Sequence, residues 1–212
     1  MPKKLIVFDV SGILLKEKMG GFKDVLVLLG KGENVKKIDA EYRRKKHAGP
    51  WGLEKLSKLS KGFPGDKLRK TAFDYCKQNL QERAKETIKE LKEKGFLVGA
   101  LSSNPQFIIA PLTEILALDF SEGTQLEFKE GVATGKIQKK VDRYGKAKIL
   151  EKKMKDYKLK KKDVIVIGHS ITDLPMAELA GTFIAFCPKE DIVKEKATKI
   201  VENFHQLKEE LL

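Results

Sequence analysis

The chain has 212 residues, enough for one large domain or one domain with a small insertion. Hydrophobic residues make up 41%, enough for a sizeable core, and no apolar run approaches the ~20 residues of a membrane helix. The formal net charge of +13 raises nucleic acid as a partner, but Lys outnumbers Arg and interleaves with Glu along 86–94, the pattern of a solvated surface common in proteins from hot environments. In chain order, Leu5–Val10 reads as a buried strand that Gly12 breaks. Helical patterns follow around Phe22–Leu29, Val35–Lys46, Leu53–Leu59 and Leu68–Cys76, punctuated by Gly20-Gly21, Gly49-Pro50 and Pro64-Gly65. Gln81–Lys94 carries Ala84, Ile88 and Leu91 on one helical face, with Gly95 past its end.

Phe96–Leu101 is a second buried strand, and Pro105 fits the first turn of another helix capped by Ser103 or Asn104. Apolar residues alternate over Leu126–Ile137 around Gly131 and Gly135, the pattern of a β-hairpin. A helix over Ala147–Tyr157, a strand at Val164–Ile167, a short helix at Thr172–Leu179, a strand at Thr182–Phe186 and a short helix at Ile192–Lys196 complete the series. Alternating strands and helices predict an α/β fold, a Rossmann-like parallel sheet flanked by helices. The expected division is a core of residues 1–14 and 82–212, which includes the β-hairpin, with residues 15–81 as an inserted helical cap. Met1–Lys4 runs directly into the first strand, unlike a secretory leader, and Cys76 and Cys187 form no disulfide framework, so a reduced cytoplasm is expected.

Ligands of open parallel sheets bind beyond the carboxyl ends of the strands, which directs attention to Asp9–Gly12, Ser102–Asn104 and Gly168–Asp173. Each has an ordinary structural reading. Asp9 can form a turn, Ser102 can cap a helix, Lys146 is one lysine among many, and Gly168–Asp173 can start a helix. Each also has a chemical one: an aspartate at a strand tip is a nucleophile or metal ligand, and a serine beside free backbone N–H groups is an anion site.

The types, order and spacing of the four stations resemble the haloacid dehalogenase superfamily, and within it the phosphoserine phosphatase-like branch. The matching motifs are FDVSG at Phe8–Gly12, the Ser of LSSNP at Leu101–Pro105, the Lys of YGKAKIL at Tyr144–Leu150, and IGHSITDLPM at Ile167–Met176. Lys146 and His169 stand 23 residues apart, a spacing the branch favours, and Ile184–Ala197 resembles the stretch after its fourth motif. The resemblance covers about Met1–Leu14 and Glu82–Leu212.

It implies a hydrolase acting on a small phosphomonoester through an aspartyl-phosphate on Asp9. Ser102 and Ser103 would hold the phosphoryl oxygens, and Lys146 would neutralise charge there. Asp9, the Ser11 carbonyl, His169 and Asp173 would hold a divalent metal, expected to be magnesium, with Asp173 acting directly or through water. The branch's acid for the substrate amine falls near Glu17-Lys18. The expected partner is a small phosphorylated substrate, with no membrane and no nucleic acid.

Three positions depart from the family pattern. Ser11 stands where a general acid is usual, and losing such a group typically costs ~10²–10⁴ in rate. His169 replaces a magnesium-ligating aspartate; a neutral imidazole suits zinc, nickel or iron better, and an imidazolium could replace the cation's charge. Ile13 removes a hydroxyl near the phosphate. Together they predict weakened magnesium-dependent hydrolysis, and they motivate a second reading: a non-catalytic protein that binds a phosphate ligand or a partner on the same fold.

Overall fold

The computed structural model describes residues 4–44 and 52–212. Met1–Lys3, the last two residues of the helix expected at 35–46, and the Gly49-Pro50 break lie outside the described residues. Seven strands form one sheet in the order β4-β3-β2-β1-β5-β6-β7. They are β1 (Leu5–Asp9), β2 (Leu97–Pro105), β3 (Phe120–Lys129), β4 (Val132–Lys139), β5 (Val164–Gly168), β6 (Thr182–Phe186) and β7 (Lys199–Val201). All neighbours pair in parallel except β3 with β4, an antiparallel hairpin. The expected hairpin is present, and its first strand starts earlier than the alternation indicated, joining the sheet beside β2. Glu130 and Gly131, both at positive φ, close it as a tight hairpin turn requires.

The helices are α1 (Gly21–Leu26), α2 (Gly32–Arg44), α3 (Leu53–Leu59), α4 (Gly65–Asn79), α5 (Ala84–Glu93), α6 (Gln106–Ile115), α7 (Arg143–Asp156), α8 (Leu174–Ala177), α9 (Asp191–Lys196) and α10 (Phe204–Leu211). β1 is buried along its whole length and serves two cores. Ile6 and Phe8 join the larger, with Ile88, Ile108, Ile184 and Phe204, while Leu5 and Val7 join the other, with Leu150, Val166 and Met176. A strand alternates its side chains across the sheet, so a continuous apolar run is what burial on both faces demands.

Between β1 and β2 lie α1–α4. The chain leaves and returns through adjacent segments: Lys16 N donates to Asn79 O at 2.7 Å, and Gln81 N to Leu14 O at 2.9 Å. The expected helix over Phe22–Leu29 ends as α1 at Leu26; a wide turn follows over Val27–Lys31, kinked at Gly30 (φ 80°). α4 packs on α6, and α3 on the hairpin, where Ser57 Oγ donates to Gly135 O at 3.1 Å. Among the described residues no helix is long and apolar enough to cross a membrane.

Candidate active site

β2 pairs with one side of β1 and β5 with the other, so the chain's crossovers depart in opposite directions at the tip of β1. That is the switch point where an open parallel sheet has a crevice. Asp9 ends β1 opposite Leu101, which puts Ser102 one step beyond it. Phe8 faces Ile167 on the other side, which puts Gly168 and His169 at the same level. Lys146 reaches the site from the first turn of α7, which starts earlier than expected because Asp142 caps it, accepting from Gly145 N at 2.8 Å.

The four stations thus converge. A cavity of about 230 Å³ is lined by Asp9, Ser11, Ser102, Ser103, Lys146 and His169 from the strand tips. Glu17, Met19, Gly20 and Lys23 line it from the insertion, together with Asn104 and Thr172. Asp173 is fully buried and does not line it.

Asp173 holds the site from behind. Lys146 Nζ donates to Asp173 Oδ1 at 2.5 Å and to Asp9 Oδ1 at 3.2 Å, with its side chain 1% exposed. Asp173 Oδ2 accepts from His169 N at 2.9 Å and Ser170 N at 3.1 Å. Gly168 makes this approach possible, because a Cβ there would sit 2.6 Å from the Cβ of Asp173. Burial opposes the charge on Lys146, but Asp173 and Asp9 outweigh it and raise its pKa above the ordinary lysine value. Burial likewise opposes ionisation of Asp173, yet Lys146 and His169 hold it well below the usual carboxylate range. His169 Nδ1 lies 3.4 Å from Asp9 Oδ2 and 3.6 Å from Asp173 Oδ2. Desolvation disfavours its imidazolium, and the two carboxylates overcome this, lifting its pKa to about 10.

Several features went unseen in the sequence. Ser103 and Asn104 do not cap α6: its N-cap is Pro105, which precedes the helix instead of filling its first turn, and no side chain bonds there. The Asn104 side chain is committed elsewhere. Its Nδ2 donates to Ser11 Oγ at 3.1 Å and Ser102 Oγ at 3.3 Å, and its Oδ1 accepts from Phe22 N at 3.1 Å. One amide therefore ties the loop after β1, the tip of β2 and α1 together. Its place two residues after Ser102 was the only available signal. Asp24 shapes the adjoining loop, accepting from Lys18 N at 3.0 Å and Met19 N at 3.2 Å. Glu17 Oε1 is buried and without a hydrogen bond among the described residues. Desolvation pushes the Glu17 carboxyl up to about 7 against a lowering contact from the Ser11 hydroxyl, and the charge of Asp9 adds to the rise. Ile13 is fully buried in the larger core and does not line the cavity.

An aspartate at the central strand tip, an adjacent serine, a buried lysine and a supporting aspartate define a phosphoryl-transfer type of site on an α/β scaffold. Residues 3–181 match the family model of haloacid dehalogenase-like hydrolases, and the chain belongs to that family. It is 33% identical over 201 residues to a phosphoserine phosphatase of Methanocaldococcus jannaschii, covering 94% of this chain and 92% of that one. It is 32% identical over 196 residues to one from Archaeoglobus fulgidus, covering 92% of this chain and 55% of the relative. A solved substrate-bound phosphoserine phosphatase complex superposes with a TM-score of 0.80 at 32% identity, covering 98% of both chains.

Proposed function

We propose that this protein is a phosphomonoesterase in which Asp9 attacks phosphorus, acting on an amino-acid phosphomonoester of the phosphoserine kind. The observation that carries the reading is the convergence of Asp9, Ser102 and Lys146 on one cavity at the sheet's switch point. An Asp9 carboxylate oxygen would form a bond to phosphorus as the bond to the ester oxygen breaks. The departing alkoxide takes a proton from solvent, and a water then attacks phosphorus as the Asp9 O–P bond breaks, releasing phosphate, returning a proton to solvent and restoring Asp9. Ser102 and Ser103 would donate to the phosphoryl oxygens, and Lys146 would offset the charge gathering between them and Asp9. Ser11 has no carboxyl to give or take the proton, so both halves of the reaction would run slower than with an acid there.

Glu17 supports the substrate class. Its buried Oε1 borders the cavity without a hydrogen bond among the described residues, which suits a substrate ammonium. Residues 15–81 would act as the cap that carries this group to the core. Asp9 Oδ2, the Ser11 carbonyl and His169 would hold a divalent cation, with Asp173 supporting them; the orphaned His169 Nδ1 fits such a role. Bound there, the cation would draw negative charge off the phosphoryl group.

The test is turnover of phosphoserine, phosphothreonine, glycerol phosphate and p-nitrophenyl phosphate with Mg²⁺, Mn²⁺, Co²⁺ or Zn²⁺. Phosphoserine should be preferred to esters without an ammonium group, and Asp9→Asn should abolish turnover. Absence of turnover with every cation would sink the reading, and equal rates on all esters would remove the substrate class.

A further inference from the structure

The side of Asp9 that faces away from Lys146 is built differently from the rest of the site. His169 Nδ1 is buried there and forms no hydrogen bond among the described residues, although Asp9 Oδ2 is 3.4 Å away. An unsatisfied buried polar atom costs ~1–3 kcal/mol, so Nδ1 at the reaction centre calls for a well-aligned partner, a water or an ion, beyond the described protein groups. Asp173 is not that partner. Its Oδ1 takes the Lys146 ammonium and its Oδ2 already accepts two backbone N–H groups. His169 Nδ1 and Asp9 Oδ2 face each other at ion-pair distance, so a cation binding between them would displace the Nδ1 proton and take its place against the carboxylate.

Two ligand atoms that each sit ~2.1 Å from one ion stand about 3.0 Å apart along an octahedral edge and about 3.4 Å apart along a tetrahedral one. The observed 3.4 Å brings both atoms within reach of one ion of that size. The donor chemistry decides its kind: magnesium demands hard oxygen ligands in a near-ideal octahedron, whereas an imidazole nitrogen beside one carboxylate oxygen suits a first-row transition cation. Coordination through Nδ1 leaves Nε2, which lies towards exposed Gly12, to carry the ring proton.

We propose that His169 Nδ1 and Asp9 Oδ2 form a site for a transition cation of the Co²⁺ or Zn²⁺ type, in place of magnesium. This rests on the phosphatase reading of Asp9, but its test reads binding without turnover, so either idea can fail alone. The full chain is titrated with Co²⁺, Zn²⁺ and Mg²⁺ while its thermal midpoint and the visible spectrum of bound Co²⁺ are followed. Micromolar Co²⁺ or Zn²⁺ should raise the midpoint of the parent protein, and millimolar Mg²⁺ should leave it unmoved. The Co²⁺ bands should disappear in His169→Ala. His169→Asp should bind Co²⁺ about tenfold or more weakly and acquire a Mg²⁺-dependent rise in midpoint.

Mg²⁺ stabilising the parent as well as it stabilises His169→Asp would overturn the proposal. So would Co²⁺ affinity unchanged in both variants, or no cation binding to the parent. Should the variants fail to fold, ¹⁵N-histidine spectra of the parent with and without Zn²⁺ decide the matter. A shift of the His169 Nδ1 resonance is expected, and an unmoved resonance would end the idea.

Discussion

At the scale of single residues, the site stores a penalty as well as a chemistry. Glu17 titrates at about 7 in the folded protein against 4.5 for a free carboxyl, with desolvation as the main cause. A group whose folded pKa is raised favours folding only while protonated. Its ionised form weighs against the native state as pH climbs past 4.5, and the full penalty is reached above about 7. Glu17→Gln removes that penalty. In the metal-free protein the substitution should stabilise by about 2 kcal/mol at pH 8, a figure reduced for the side chain's partial exposure. That corresponds to roughly 5 °C in melting midpoint for a chain of this size, with little change at pH 4. Thermal melts of both proteins across that range check it, and an equal gain at pH 4 would show that the carboxylate's burial is not the cause. If Glu17 also meets the substrate's ammonium, the same variant should raise KM for phosphoserine far more than for glycerol phosphate.

At the scale of elements, the segment between β1 and β2 is joined to the rest by backbone bonds such as Gly65 N to Gly131 O and Ala133 N to Phe63 O, and Asn104 adds a buried side-chain tie. Asn104→Ala would leave Phe22 N without its acceptor and Ser11 Oγ and Ser102 Oγ without a shared donor. An abandoned buried N–H costs ~1–3 kcal/mol. The expected result is faster hydrogen exchange at Phe22 and along α1, with the amides of β1 unaffected; unchanged protection of α1 would mean that packing alone holds it. This tie also marks where reading the sequence stops working. The strands were legible because burial on both faces leaves runs such as Leu5–Val10 and Val164–Ile167 with no competing interpretation. The helices of the insertion were legible from their spacing. β7 and α10 were missed: a three-residue edge strand with two exposed positions carries no pattern, whereas α10 does bury Phe204 and Leu207 and was overlooked. Asp9, Ser102 and Lys146 were recognisable as a set through their resemblance to the motifs of the family. The bond from Phe22 to Asn104 spans 82 residues, and no local pattern encodes it. The orphaned atoms of Glu17 and His169 were equally invisible, since a missing partner is a property of the packed structure.

At the scale of the whole molecule, the charge that first suggested nucleic acid bears on how a phosphate ester reaches Asp9. The net charge is +13, and the cavity opens into an adjoining space of about 620 Å³ bordered by Lys18, Lys23, Arg43 and Lys189. Glu17 and Asp39 answer these only in part, with Asp39 already paired to Lys23 and Arg43. A dianionic ester therefore approaches through a positive field that low-dielectric walls concentrate. Such a field acts over a Debye length, about 10 Å at 0.1 M salt, so it is screened long before the buried Lys146 pair is. Raising ionic strength from roughly 10 mM to 300 mM should lower kcat/KM several-fold and leave kcat nearly unchanged, because capture is weakened while the chemistry at Asp9 is shielded from salt. Steady-state kinetics over that range, with a salt whose anion does not compete for the phosphate station, provide the measurement. A flat kcat/KM would show that the field at the mouth contributes nothing, and a parallel fall in kcat would show that screening reaches the Asp9–Lys146–Asp173 centre, which its burial argues against.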